Sequence, residues 1–296
     1  MITFSGASPQ GAGTVAGKVF VSVDAEGLPY IVSPLQLMPG RSLFSELRSV
    51  ATRLTRLAAA LLVEQGYSVV VADSHGLMVN IEPQQMPRGV EVVRGFPRSL
   101  SMVAGARGSS YAVFLGYHAR AGVDSVLAHS FSSRVVYRLT VNGLEASEYL
   151  FNALLLGEWG IPVGLVAGSG ELGKEVEQYT PWAVWLPLSR STGYLSSVSP
   201  SIEEVEEDLR EAVKESIRRS RAGELKPLRM AWDAVEVCIE FMSPAYAETA
   251  ALMPGTARDT GRRVCYRAAS VEEAYRAMEA MVYLGGFTAL LTQQMR

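Results

Sequence analysis

The chain has 296 residues, of which 48% are hydrophobic and 19% are charged, and its formal net charge at pH 7 is −3. This length and composition provide enough apolar side chains to bury a large core, in one large domain or two smaller ones. The slight excess of acidic residues and a pI near 5.8 argue against a nucleic-acid-binding protein, which takes a basic surface.

The N-terminal part of the chain begins without a targeting signal and continues with a strand and a helix. Residues 2–17 carry no positive charge and so lack the basic start of a signal peptide. Lys18–Val23 is a short β-branched run, which is typical of a strand. Apolar residues then recur through 42–65 at the spacing of an amphipathic helix, and Gly66 follows as a C-cap.

Three further apolar runs predict the rest of a sheet. Residues 67–72 are almost entirely apolar, as in strands that are buried on both faces, and residues 111–116 and 161–167 share that character. Strand-like and helix-like segments alternate along this part of the chain. The sequence therefore predicts an α/β fold with a mainly parallel sheet flanked by helices.

The composition changes at residues 189–201, which are rich in Ser, Gly and Pro. After this break, apolar residues in 202–217 have the spacing of an amphipathic helix with an acidic opposite face. Val235–Phe241 alternates between apolar and polar residues, which indicates a strand. We therefore predict a catalytic α/β domain over residues 18–190 and a smaller α+β domain over residues 200–296.

Two helix starts mark the last quarter of the chain. Ser243 is followed by Pro244, an N-cap with proline at the first helical position. Ser270 and Glu273 have the spacing of a capping box. The apolar tail 280–295 is interrupted by glycines and a glutamine and is too short and too polar to cross a bilayer. We therefore expect a cytoplasmic protein with no membrane partner.

The chain contains two cysteines, Cys238 and Cys265, each in a predicted strand. Their plainest interpretation is two small buried apolar side chains, although they would pair if their strands are neighbours. Neither has the CxxC spacing of a zinc or redox site.

Candidate chemical groups follow three of the predicted strands. The chain has three histidines, and two of them, His75 and His118, come directly after buried strands. Asp24 and Glu26 come directly after the first strand. Because ligands of open α/β sheets bind outside the carboxyl ends of the strands, we expect these four side chains to meet at one sheet edge.

This set of side chains suits a metal. Two carboxylates and two imidazoles, joined by the carboxylate of Glu148, form a mixed nitrogen and oxygen set suited to Zn²⁺ or a similar divalent ion. Asp24 and Glu26 are two residues apart and point to the same side of an extended segment. Either one metal takes both, or one carboxylate bridges two metals. The ligands outnumber the three that a catalytic zinc needs, which favours two metals.

Each of these residues also has a plainer interpretation. Asp73 and His75 could hydrogen-bond backbone amides beside a turn, Asp24 could cap a helix, and Glu148 could lie on a solvated helix face. Ser74 has no nucleophile elbow around it. The metal hypothesis is the better one only because the groups converge on one edge of the sheet.

A series of short motifs follows in chain order. They are SVDAEG at 22–27, ADSHG at 72–76, RSLSM at 98–102, GYHA at 116–119, LAHS at 127–130 and VNG at 141–143, followed by LMPG at 252–255. In order and approximate spacing they resemble the D-aminopeptidase family of the DppA type. The similarity runs from about residue 18 to the end of the chain.

The resemblance implies a two-zinc aminopeptidase that acts on short peptides, some with N-terminal D-residues, and that assembles as a ring-shaped homodecamer. By position it implies that the zinc ligands are Asp24, Glu26, His75, His118 and Glu148. It further implies that His129 is the catalytic histidine and binds no metal, and that Asn142 and Asn152 surround the ligands.

The sequence thus predicts a metallopeptidase with two zinc ions per chain that removes the first residue of short peptides with a metal-activated water. Two alternatives stay open: a binuclear amidohydrolase with a non-peptide substrate, and a non-enzymatic peptide-binding or transport-accessory protein that contains a metal. The apolar stretch 282–291 and the domain after Ser201 offer surface for the homo-oligomer that the resemblance implies.

Overall fold

The computed structural model describes residues 16–295 of the chain. The helices are α1 (Phe44–Glu64), α2 (Glu148–Glu158), α3 (Gly173–Tyr179), α4 (Ile202–Arg221), α5 (Pro244–Ala250) and α6 (Val271–Gln294). The strands are β1 (Lys18–Val23), β2 (Ser68–Asp73), β3 (Val90–Val93), β4 (Tyr111–Tyr117), β5 (Val136–Val141), β6 (Leu144–Glu145), β7 (Val163–Ser169), β8 (Val184–Gly193), β9 (Ser196–Val198), β10 (Val235–Phe241), β11 (Thr256–Arg258) and β12 (Arg263–Ala268). Within 16–295, no helix has both the length and the apolar character that a membrane span needs.

The larger sheet has the order β3-β2-β1-β4-β7-β8-β9. Its strands are parallel except β9, which runs antiparallel to β8. From β1 the chain builds outwards to β2 and β3 on one side, and it later returns to β4 on the other side of β1. This reversal is the topological switch point at which open α/β sheets bind ligands. The predicted α/β fold with a mainly parallel sheet is confirmed.

Both faces of the larger sheet are covered, which explains the continuous apolar runs in its strands. Val19 and Val21 of β1 face a core that includes α1 and α4. Phe20 faces the opposite core, which includes α2 and α6. The sheet therefore lies between helices, and its carboxyl edge is the side that can open to solvent.

The smaller sheet is antiparallel, with the order β11-β12-β10-β5-β6. Its strands β5 and β6 precede α2. β5 pairs with β10 from the last third of the chain, with Leu139 and Val141 aligned with Ile239 and Val237, and β6 pairs with β5. In the other direction, α4 contacts α1, β7 and β8 of the larger sheet. The predicted boundary between residues 190 and 200 therefore does not coincide with the division between the two sheets.

The N-terminal caps of the helices agree with the sequence signals, except that the complete capping box lies at α4 and not at α6. Ser243 caps α5 by accepting a hydrogen bond from the amide of Ala245. At α6, Ser270 accepts from the amide of Glu273, but the carboxylate of Glu273 accepts from the amide of Ala269, so the predicted capping box is only half formed. A complete capping box occurs instead at α4, between Ser201 and Glu204.

The two cysteines form a disulfide. Cys238 of β10 and Cys265 of β12 lie directly opposite each other, with their Cα atoms 4.0 Å apart. The alternative that the sequence left open, pairing between neighbouring strands, is therefore the one the structure adopts. The disulfide closes the segment that contains α5 and β11 and so restricts its unfolded conformations.

Candidate metal centre

Six side chains with ligand-type atoms meet at the carboxyl edge of the larger sheet. Asp24 and Glu26 follow β1, His75 follows β2, and His118 follows β4. Glu148 is the first residue of α2, and the loop between β4 and β5 contributes His129. The structure therefore brings together all the residues that the sequence singled out for metal binding and catalysis, and all but His129 are buried.

The first half of this cluster is formed around His75. Its Nδ1 lies 3.0 Å from Oε2 of Glu26 and 3.5 Å from Oδ1 of Asp24. Its other ring nitrogen, Nε2, lies 2.9 Å from the carbonyl oxygen of Leu37.

The second half is formed around two stacked imidazoles. The rings of His118 and His129 lie 4.4 Å apart with an angle of 16° between their planes. Nε2 of His118 is 3.5 Å from Oδ2 of Asp24 and 3.7 Å from Oε1 of Glu148. Nε2 of His129 is 3.6 Å from the same Glu148 oxygen and 4.0 Å from Oε1 of Glu26. Asp24 thus presents one oxygen to each half of the cluster.

The hydrogen bonds of the rings show that this cluster suits a cation. Nδ1 of His118 and Nδ1 of His129 each lie 2.9 Å from a backbone carbonyl oxygen, that of Ala119 and that of Leu127. A carbonyl only accepts, so each histidine donates there and directs its other ring nitrogen, Nε2, towards the carboxylates. Nε2 of His118 is thereby free to offer its lone pair to a metal ion.

Unpartnered atoms support the same conclusion. Oδ2 of Asp24, Oε2 of Glu26 and Nε2 of His118 are buried without a hydrogen-bond partner among the described residues. A buried polar atom without a partner costs free energy, so such atoms normally have one. Carboxylate oxygens and imidazole nitrogens are the donors that Zn²⁺ takes, and these residues fit that ion.

Burial and the neighbouring charges shift the pKa values of the side chains in the cluster. Burial and the neighbouring Glu26 raise the pKa of Asp24 to about 7, and burial also raises the pKa of Glu148. Burial opposes ionisation of Glu26 too, but His75 and His129 hold the pKa of Glu26 well below its usual range. In the same way Glu26 raises the pKa of His75 against the effect of burial. A bound divalent cation would reverse the balance at the carboxyl groups by favouring their ionised forms.

Two glycines allow the loops to approach closely enough to form the cluster. A Cβ on Gly27 would lie 1.8 Å from the carbonyl oxygen of Tyr117. Gly116 has a φ of +76°, and a Cβ there would lie 2.2 Å from the carbonyl oxygen of Asp24. The turn that carries Asp24 and Glu26 is therefore pressed against the end of β4, which only glycine permits.

The loop that carries His129 is held in a strained conformation. Leu127 and Phe131, two residues to either side, have φ values of +51° and +57°. The carbonyl of Leu127 accepts from the His129 ring, and the amide of Phe131 donates to Oε1 of Glu148 at 2.5 Å. Left-handed backbone at two non-glycine residues costs free energy and persists where the surrounding contacts fix it, often at functional sites.

A buried polar network lies beneath the cluster, and sequence reasoning missed most of it. Oγ of Ser22 lies 2.7 Å from the hydroxyl of Tyr117 and 2.8 Å from Oγ of Ser74. The Tyr117 hydroxyl accepts from Nδ2 of Asn152 at 2.9 Å, and Oδ1 of Asn152 accepts from the hydroxyl of Tyr275. Polar residues inside otherwise apolar strands were the available signal. The network fixes the strand ends that position the ligands.

The two asparagines implied by the resemblance have different places. Asn152 belongs to the network beneath the cluster, one helical turn after Glu148. Asn142 does not surround the ligands, and this expectation is wrong. It lies between β5 and β6 with a φ of +46°, and its side chain bonds to the backbone of Ala234 and Glu236 beside β10. Asparagine suits this position because it tolerates the left-handed conformation.

Asp73 illustrates the plainer interpretation of a polar residue at a strand end. Its carboxylate accepts hydrogen bonds from the amides of Asn80 and Ile81 and from the side chain of Asn80. Arg98 of the RSLSM motif donates to the carbonyls of Asp73, Val93 and Ser101. Both residues shape the loops around the cluster rather than join it.

A cavity of about 930 Å³ opens above the cluster, large enough for a short peptide. Asp24, Glu26, His75, His129 and Glu148 line its floor. His129 also lines a second cavity of about 400 Å³ on its other side. The cavity therefore gives a ligand access to the cluster, with the His129 imidazole beside it.

The chain resembles known proteins over most of its length. The family model described as D-aminopeptidase matches residues 18–280. A D-aminopeptidase from Bacillus subtilis (strain 168) is 32% identical over 279 residues, which cover 90% of this chain and 97% of that protein. Among solved structures, the Zn-dependent D-aminopeptidase DppA from Bacillus subtilis, a self-compartmentalizing protease, matches with a TM-score of 0.86 and 29% identity. That match covers 91% of this chain and 98% of the other.

Proposed function

We propose that this chain, which belongs to the D-aminopeptidase family, is a zinc-dependent aminopeptidase that removes the first residue of short peptides, D-residues included. The observation that carries the proposal is the buried cluster of three carboxylates and three imidazoles with unpartnered ligand atoms. The cluster forms the floor of a cavity that a short peptide can enter.

The ligands would be Asp24, Glu26, His75, His118 and Glu148, holding about two zinc ions with Asp24 between them. When bound, zinc polarises the scissile carbonyl and lowers the pKa of a water molecule from ~15.7 towards about 7. The family's activity favours peptides as substrates over other amides.

His129 is the group that we assign to proton transfer. It is the most accessible member of the cluster, with 14% of its side chain exposed, compared with 10% for His75. Its Nδ1 is committed to the carbonyl of Leu127, so Nε2 faces the cavity and can hold a proton. A proton held at Nε2 can pass to the nitrogen of the leaving amine, which departs as a neutral amine.

The floor of the cavity would also favour action at the peptide N-terminus. The free α-ammonium of a substrate is two bonds from the scissile carbonyl. Once it has lost a proton, this amine would lie within reach of the zinc-binding floor.

We also propose that the protein is a homo-oligomer, a ring of about ten chains. The last turns of α6 expose large apolar side chains: Phe287 is 60% exposed and Leu290 is 54% exposed. Such a patch favours association. Light scattering is expected to show a single species of many times the mass of one chain. A clean monomer at micromolar concentration would refute this assembly.

The proposed activity is tested with zinc-loaded protein and matched alanyl dipeptides in the D and L configurations. We expect release of free alanine from at least one of them, and chelation is expected to abolish it. Equal failure on both dipeptides and on longer alanyl peptides, with zinc bound, would show that the site serves another amide.

A further inference from the structure

One buried carboxyl group in the cavity is separate from the metal cluster. Glu279 of α6 is 8% exposed and lines the same cavity as His129 and Glu148. Its Oε2 accepts a hydrogen bond from the amide of Leu100 at 3.3 Å. Its Oε1 has no hydrogen-bond partner among the described residues.

The position of Glu279 is fixed by the helix that packs behind the metal cluster. Tyr275, one turn earlier on α6, donates to Asn152, and its ring lies 5.8 Å from that of Phe131. Within the described part of the chain, Glu279 makes no ion pair or hydrogen bond with a member of the cluster. It therefore lines the cavity without belonging to the cluster.

The cavity that Glu279 lines also has apolar side chains, which we call its apolar wall: Phe96, Met102, Met278, Val282 and Tyr283. The cavity therefore offers a ligand both apolar side chains and the Glu279 carboxylate.

The nearby arginines leave Glu279 without a contacting cation. The guanidinium of Arg98 donates to three backbone carbonyls, and that of Arg276 donates to Glu272 and Ser99. Burial, only partly offset by the Leu100 and Ser101 amides and the charges of Arg276 and Arg98, raises the pKa of Glu279 to about 7. An ammonium group beside it would favour the ionised form.

We propose that Glu279 is a specificity-determining residue that receives the side-chain ammonium of a basic first residue, such as lysine, in the peptide substrate. This inference rests on the proposed aminopeptidase function. A lysine-type side chain combines an aliphatic stem, which suits the apolar wall, with a terminal ammonium, which suits the unpartnered carboxylate oxygen. The α-amine stays at the zinc-binding floor because it is close to the scissile carbonyl.

The test compares dipeptides that begin with lysine or with norleucine, in both configurations, because the uncharged norleucine side chain has the same aliphatic stem without the ammonium. Wild-type protein is expected to favour the lysyl substrate in kcat/KM. Glu279→Gln keeps an acceptor for the Leu100 amide but removes the charge. It is expected to lower kcat/KM for the lysyl dipeptide about ten- to a hundredfold, mostly through KM, and to leave the norleucyl dipeptide within about twofold.

Two further variants separate recognition from general damage. Glu248→Gln removes one negative charge from an exposed position on α5 and is expected to leave the ratio of the two substrates unchanged. Glu279→Asp keeps the charge and is expected to retain part of the lysyl preference. An equal fall for both substrates in Glu279→Gln, or an unchanged ratio, would overturn the inference alone. Wild-type protein that cleaves no peptide would overturn the proposed function as well.

Discussion

Replacement of His129 by alanine is expected to leave the fold and the bound zinc in place while turnover falls about a hundred- to ten-thousandfold, the usual effect of losing a positioned acid or base. The reason is its position: Nε2 faces the cavity and lies 3.6 Å from Glu148, while Nδ1 is fixed by the carbonyl of Leu127. The measurement is kcat per bound zinc ion, with metal content determined on the same sample.

The control for this prediction is the pair of histidines assigned as ligands. His75→Ala and His118→Ala are expected to lose metal, because their bare nitrogens face the carboxylates of Asp24 and Glu26. If His129→Ala loses zinc and keeps a normal turnover per remaining ion, His129 is a ligand and its assignment as the proton carrier is wrong.

Asp24→Asn is expected to weaken zinc binding more than any other single replacement in the cluster. Asp24 directs one oxygen to His75 and the other to His118, so it serves both halves of the site. An amide offers one oxygen and no negative charge. Replacing a residue that only hydrogen-bonds to a metal ligand lowers metal affinity about ten- to a hundredfold. Because Asp24 is itself a proposed ligand, we expect zinc affinity to fall by more than about a hundredfold and hydrolysis to be lost with it.

The matched control for Asp24 is Asp124→Asn. Asp124 is exposed in the loop that carries His129, so the change in charge is the same without a change in ligands. Zinc titration by calorimetry measures both variants. Two zinc ions bound to Asp24→Asn with unchanged affinity would refute the bridging role.

The part of the site that the sequence predicts best is the strand-end part. β1, β2 and β4 are buried on both faces, so their apolar runs indicate strands. Neighbouring parallel strands place their carboxyl ends at one edge of the sheet. Asp24, His75 and His118 each follow such a strand closely. Their meeting therefore follows from the order of the chain alone.

The contribution of the long loop after β4 could not be predicted from local patterns. His129 reaches the cluster because the backbone takes left-handed turns at Leu127 and Phe131. Neither leucine nor phenylalanine favours that conformation, so no local propensity indicates it. The Asn152 network likewise joins residues from β1, β4, α2 and α6, contacts that exist only after the chain has folded.

The strand pairing in the smaller sheet could not be predicted from local patterns either. β5 has buried apolar residues at Val136, Leu139 and Val141, but its pairing partner β10 is nearly a hundred residues later. The pattern of apolar residues in a strand indicates which face is buried, but it does not identify the strand that pairs with it. The composition break at 189–201 was expected to mark a domain boundary. In the structure it coincides with the β8–β9 hairpin and the start of α4, and the apolar face of α4 packs against the larger sheet.

The two-zinc site is tested most directly by zinc titration of chelated, metal-free protein while the hydrolysis of an alanyl dipeptide is followed. Activity is expected to be absent without metal and to rise until about two ions are bound per chain, because the five proposed ligands outnumber those that one catalytic zinc needs. Full activity with less than one ion per chain, under zinc-replete conditions, would contradict the two-zinc site.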